Sequence, residues 1–173
     1  TNVTNLSSLA SWTADQFDPT LTWEDIAWIK DRWKGKLILK GIMDSEDAML
    51  AVKAGADAII ISNHGGRQLD GAPSTISVLP EIVDTVNSKV EVHFDGGVRS
   101  GQDVLKALAL GADCIHIGRP YVYGLGAKGQ EGVEIAIEII KKELDLTMAM
   151  CGETNISNVG LHNLHHHPFK IIN

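Results

Sequence analysis

Four places in the chain gather side chains able to do chemistry, and each stands at the end of an apolar run. The richest is Ser62-Asn63-His64-Gly65-Gly66-Arg67-Gln68. His64 carries the one side chain there whose ordinary pKa lies near neutrality, which suits it to act as a general base. Arg67, three residues on, offers a planar fork of donors that matches a carboxylate. Gly65 and Gly66 let the backbone take strained angles and approach a ligand closely. Lys40 marks an earlier place. The last two are Asp95-Gly96-Gly97-Val98-Arg99 and Gly118-Arg119. Glycines that expose backbone N–H groups before a helix start, with two arginines to supply charge, are the makings of a phosphate site. Blander readings stand beside these: His64 and Arg67 as an ordinary surface pair, and Asp95 with Arg99 as a local ion pair.

The elements that must position these groups can be read from periodicity. Ile59-Ile60-Ile61 is a β-branched run of the kind found in a parallel-sheet strand covered by helices. Residues 37–39, 90–94 and 114–117 read as three further short strands, ending at Lys40, Asp95 and Gly118. Between them lie helical patterns. Thr22 caps a helix over about 23–33, in which Ile26, Ile29 and Trp33 recur at helical spacing. Asp44 or Ser45 caps a second, with Ala48, Ala51 and Val52 facing inward and Gly55 just past its end. A third begins at Pro73 and runs to about Val86, with Pro80 expected to kink or interrupt it. A fourth covers 102–110 and is ended by Gly111.

Residues 51–61 and 107–117 echo one another: each is a helix end, a Gly-Ala-Asp turn and a strand. A repeat at this period, with strands and helices alternating, predicts βα units around a parallel sheet, built by duplication. In a β/α barrel the carboxyl ends of the strands carry the active site, and the loops after the last two strands are the usual place for a phosphate. Every reactive group named above falls on that rim.

Composition narrows the function classes. The chain of 173 residues is 44% apolar and carries a net charge of -7, enough to bury one core and the wrong sign for a nucleic-acid surface. It has no apolar run of about 18 residues, as a membrane span requires, and no signal-like start. Cys114 and Cys151 are too few for a disulfide framework. A cytoplasmic location, at most peripheral to the inner membrane face, is the expectation. Residues 1–22 read as a loop, and 153–173 as a solvated tail with four close histidines and no expected metal site. His93 and His116 alternate with apolar residues and read as packing residues, as do Trp12, Trp23, Trp28 and Trp33.

The strings Lys40-Gly41, Ser62-Asn63-His64-Gly65-Gly66-Arg67-Gln68-Leu69-Asp70 and Asp95-Gly96-Gly97-Val98-Arg99-Ser100-Gly101 carry a specific resemblance, as does Ala109-Leu110-Gly111-Ala112-Asp113 through Gly118-Arg119. Over about 23–152 the chain resembles the second half of the FMN-dependent α-hydroxy-acid dehydrogenases and oxidases, most closely the bacterial L-lactate dehydrogenase branch. The resemblance implies strands five to eight of a TIM (β/α)8 barrel and an FMN cofactor. It implies oxidation of a small L-2-hydroxy acid, L-lactate above others, to the 2-oxo acid. Lys40 matches the lysine beside the flavin ring, Ser62 a residue bonded to the ring, His64 the base and Arg67 the carboxylate clamp. Asp95, Gly96, Gly97, Val98 and Arg99, with Gly118 and Arg119, match the ribityl and phosphate site. Residues 1–22 resemble the mobile loop over the active site. The family commonly forms homo-oligomers, and its electron acceptor is oxygen, a quinone or a cytochrome.

The departures are equally specific. The family's substrate tyrosines, its second substrate arginine and the aspartate that orients the histidine come from the first half of the barrel, which these residues do not match. Tyr121 and Tyr123, placed after the last strand, do not replace them. Half a barrel exposes two strand edges, so the chain is expected to be a fragment of a longer enzyme. A non-catalytic half-barrel that binds FMN or phosphate is the second reading. Another FMN-binding TIM-barrel enzyme is the third, weakened by the paired His and Arg.

Overall fold

The computed structural model describes Trp12, Gln16 and residues 18–165. Four strands form one sheet: β1 (Ile38–Ile42), β2 (Ala58–Ile61), β3 (Glu91–Asp95) and β4 (Cys114–His116). All pairings are parallel, and the order in space is β1-β2-β3-β4, the order in sequence. A doubly wound sheet reverses its order at a switch point, whereas a barrel wall does not. The chain is therefore a partial barrel. Among the described residues no further strand pairs with the outer edge of β1 or of β4.

Alternation along the strands separates two faces. Leu39, Ile42, Ile59, Ile61, Val92 and Phe94 join the apolar core shared with the helices. The opposite face carries Lys40, Ile60, His93, Asp95, Cys114 and His116, with His93 opposite Cys114 and Asp95 opposite His116 in the register. Gly41 makes this possible in β1. Its φ of 101° accompanies a register shift between Lys40 and Ile42, so Lys40 points to the open face while Ile42 returns to the core.

The covering helices are α1 (Trp23–Trp33), α2 (Ser45–Lys53), α3 (Thr75–Val86), α4 (Gly101–Ala109) and α5 (Arg119–Met150). Asp44 is the cap of α2, its carboxylate accepting from the Asp47 N–H at 2.9 Å. The Gly-Ala-Asp echo proves to be one device used twice. In each copy the Ala N–H bonds back to the helix, Ala56 to Ala51 and Ala112 to Ala107, both at 3.1 Å. Each aspartate then grips the strand before it. Asp57 donates its N–H to Leu37 O and accepts the Leu37 N–H on its carboxylate, both at 2.8 Å; Asp113 does the same with Val92, again at 2.8 Å.

Several expectations are corrected. Ser74 is the cap of α3, so Pro73 lies outside the helix, and Pro80 sits within an unbroken Thr75–Val86. The buried Leu79, Ile82 and Val86 anchor that helix across the bond that proline cannot make. Trp12, Trp28 and Trp33 are 43%, 57% and 65% exposed, and only Trp23 packs on the core. Trp28 instead carries the Arg32 guanidinium 4.5 Å above its ring, because α1 buries none of its residues fully. Beyond β4 stands α5, which the periodicity reading did not include. It bends at Lys128 and Gly129, and a Cβ on Gly101 would lie 1.9 Å from Leu144 N, so α4 and α5 meet backbone to backbone. His162 is 65% exposed, and its Nε2 and Asn163 Nδ2 both reach Glu153, at 2.8 and 3.0 Å, which ties this part of the tail to the end of α5. His166 and His167, and most of the loop over 1–22, lie outside the described residues. No helix among the described residues is long and apolar enough to cross a membrane.

Candidate functional site

The strand ends converge as their sequence positions require. Asp95, at the end of β3, accepts from Lys40 Nζ at 2.6 Å and from Ser62 Oγ at 3.0 Å, tying together the ends of β1, β2 and β3. This overturns the local pairing of Asp95 with Arg99. Asp95 ends an inward-facing row with Lys40 as its neighbour across the sheet, and Arg99 is carried past it by the turn. The Arg99 guanidinium has no partner among the described residues.

Ser62 also accepts the His64 N–H at 3.1 Å, and Asn63 Oδ1 accepts the Gly65 N–H at 3.1 Å. Asn63 Nδ2 is in turn anchored on Pro73 O at 3.2 Å. These bonds hold His64 at a φ of 55°, a left-handed conformation that non-glycine residues rarely adopt and that gathers at functional sites. The imidazole swings toward Gly41, where a Cβ would lie 3.1 Å from His64 Nε2. Arg67 Nε donates to His64 O at 3.0 Å, tying the guanidinium to the His64 backbone, and both side chains border the same cleft. Among the described residues the His64 ring itself has no hydrogen-bond partner. Arg119 Nη2 donates to Gly65 O at 2.9 Å and so joins the fourth strand end to the second.

A cleft of about 450 Å³ opens over these groups, bordered by Lys40, His64, Arg67, Asp95, Gly96, Gly97, Arg99, Gly118 and Arg119. Its far end is built for an anion. Gly97 has a φ of 78°, and a Cβ at Gly97 or at Gly118 would meet nothing within 4 Å. Packing therefore does not require glycine at these two places; they leave open space and bare backbone. Gly118 is the N-cap of α5, whose amide ends carry partial positive charge, and Arg99 and Arg119 flank it. Val98 is buried in the turn and contributes to the wall of the cleft. A flavin mononucleotide, with one flat ring and one phosphate, suits both ends of such a cleft.

Sequence reading missed three things. The first is Asp95 as the joint between Lys40 and Ser62. The second is Gly41 as the space His64 needs. The third is that His93 and His116 are not separate packing residues. His93 Nδ1 lies 3.1 Å from His116 Nε2, and His93 Nε2 lies 3.2 Å from Glu91 Oε2. Burial, then the charge of His93, push the His116 imidazole below its ordinary range, against an opposite pull from Asp95. Alternation alone could have revealed this, since Glu91, His93 and Asp95 alternate with Val92 and Phe94 on one strand and Cys114 and His116 with Ile115 on the next.

Fold, cleft and strand-end residues define a flavin-class β/α-barrel site, and the chain belongs to the FMN-dependent dehydrogenase family, whose model matches residues 1–166. Its relatives are enzymes of 2-hydroxy acids. The chain is 52% identical over 150 residues to 2-hydroxyacid oxidase 1 of Mus musculus, covering 87% of this chain and 40% of that protein. It is 45% identical over 161 residues to an L-lactate dehydrogenase of Vibrio cholerae, covering 93% of this chain and 43% of that protein. Among solved structures, (S)-mandelate dehydrogenase, described as a monotopic membrane protein, matches with a TM-score of 0.86 at 38% identity, over 95% of this chain and 43% of its own. Mandelate oxidase with (S)-4-hydroxymandelic acid matches with a TM-score of 0.85 at 45% identity, over 89% of this chain and 43% of its own. The chain thus spans less than half the length of these relatives.

Proposed function

We propose that this chain supplies the flavin-holding and base-bearing half of an enzyme that oxidises an L-2-hydroxy acid, with L-lactate as the first substrate to test, to the 2-oxo acid. The observation that carries the reading is His64, held left-handed at the cleft by bonds from Ser62 and Asn63, with Arg67 pinned to its carbonyl. When bound, FMN supplies the acceptor for the substrate's electron pair. Arg67 presents its fork to the substrate carboxylate and so sets the hydroxyl-bearing carbon against the imidazole. His64 takes the proton that leaves the substrate. Lys40, oriented by Asp95, holds positive charge where the acceptor gains negative charge, and Ser62, fully buried, holds Asp95 and the His64 amide in place beneath the cleft. Arg99, Arg119 and the bare amides of Gly96, Gly97 and Gly118 hold the phosphate, while Asp95 and Val98 shape the wall between the two ends.

A second reading, a module that binds flavin without turnover, is favoured by one fact: the His64 ring has no orienting partner among the described residues. One experiment separates the two. The chain is loaded with FMN, and L-lactate is added without oxygen while the visible spectrum is followed. Bleaching of bound flavin, abolished by His64→Gln with flavin retained, supports the enzyme. Bound flavin that stays oxidised supports the binding module. Bleaching that survives His64→Gln removes His64 from the role of base.

A further inference from the structure

We propose that His93, Cys114 and His116 form a binding site for a zinc-class divalent cation on the open face of the sheet, with His116 level with Asp95 and the other two one layer below it. The three side chains come from adjacent strands, with His93 and Cys114 paired in the register, so rigid backbone rather than a loop sets their spacing. Their ligand atoms all lie within 4.8 Å of one another. His93 Nδ1 and His116 Nε2 are already 3.1 Å apart. Two imidazole nitrogens on a tetrahedral zinc, at about 2.0–2.1 Å each, stand about 3.3 Å from one another. The pair is thus near its bound geometry, and only the Cys114 thiol has to close in.

Glu91 completes the arrangement. Its carboxylate meets His93 Nε2 at 3.2 Å, the nitrogen turned away from the proposed cation. A carboxylate on the far nitrogen keeps the proton there and leaves Nδ1 with its lone pair, the outer-shell contact common to metal-bound histidines. On binding, Cys114 gives up its thiol proton to solvent and the proton between the two rings passes to His116 Nδ1, so one proton is released per cation. Imidazole and thiolate select zinc, cobalt or copper over magnesium and calcium, which take oxygen ligands. Asp95 is not a ligand, since both its oxygens are engaged by Lys40 and Ser62. A water would complete a tetrahedral set, the three side chains supplying the other ligands.

The test uses Co2+ as a spectroscopic stand-in for zinc. After treatment with a chelator the chain is titrated with Co2+, and the long-wavelength visible bands of tetrahedral cobalt, which lie beyond flavin absorption, are followed to saturation. The expectation is one equivalent bound, displaced by Zn2+. Cys114→Ser, a near-isosteric change, should shift the bands and remove the thiolate charge-transfer absorption, and His116→Phe should abolish them. Glu91→Gln should weaken affinity on the order of 10-fold. The histidine-rich end is a competing source of binding, so His165→Ala, His166→Ala and His167→Ala are combined in one control chain that must bind as the parent does. Octahedral cobalt, bands unchanged by Cys114→Ser, or bands lost in the control chain would overturn the site.

Discussion

Asp95 and Gly41 show how much of this cleft rests on residues that position others: Asp95 holds Lys40 and Ser62, and Gly41 makes room beside His64. Gly41 has a φ of 101° and clears the space that His64 Nε2 occupies. Gly41→Ala should therefore cost about 1–3 kcal/mol in a urea titration and displace the imidazole, lowering turnover of the loaded enzyme more than flavin affinity. Arg67→Lys keeps the charge and loses the fork, so the Michaelis constant for the hydroxy acid should rise with flavin binding unchanged; an unaltered constant would make Arg67 structural. The positions of His64 and Arg67 were legible in the sequence because glycines and an Asn turn announce them within a few residues. The partner of Lys40 was not, because Asp95 is 55 residues away and only strand register brings the two together. His93 and His116, 23 residues apart, were legible as sharing a face from alternation, but not as touching, which again took the register.

At the scale of the element, the first of the two Gly-Ala-Asp turns carries a pH response through Asp57. Two lysines, Lys30 and Lys36, and the Leu37 N–H surround the Asp57 carboxylate and hold it well below the usual carboxylate range. A group whose folded pKa is depressed stabilises the protein above its unfolded value, about 3.9 for aspartate, and that stabilisation drains as pH falls through the folded value. Asp57→Asn should lower stability at neutral pH and flatten the decline below about pH 4, as read from melting temperatures across a pH series. The repeat was legible in the sequence as matching letters, and the strands as β-branched runs. Less so were the unbroken course of α3 through Pro80, which depends on the buried anchors Leu79 and Ile82, and α5, whose contact with α4 turns on Gly101.

For the whole molecule, the sheet among the described residues has two inner strands and two at its edges. β2 pairs on both sides and contains Ile59 and Ile61, neither with accessible surface, while β1 and β4 each pair once. Amide hydrogen exchange should be slowest in β2 and β3 and faster in β1 and β4; uniform protection across the four would mean that the edges are covered in solution. Barrel order was legible from alternating strands and helices, whereas the polar character of the open face required the register. The aspartate grips of Asp57 and Asp113 both point backward along the chain, to Leu37 and to Val92. A polypeptide leaving the ribosome therefore already displays the anchor for each grip when the aspartate emerges, so each unit can lock onto its predecessor without waiting for residues still to be synthesised.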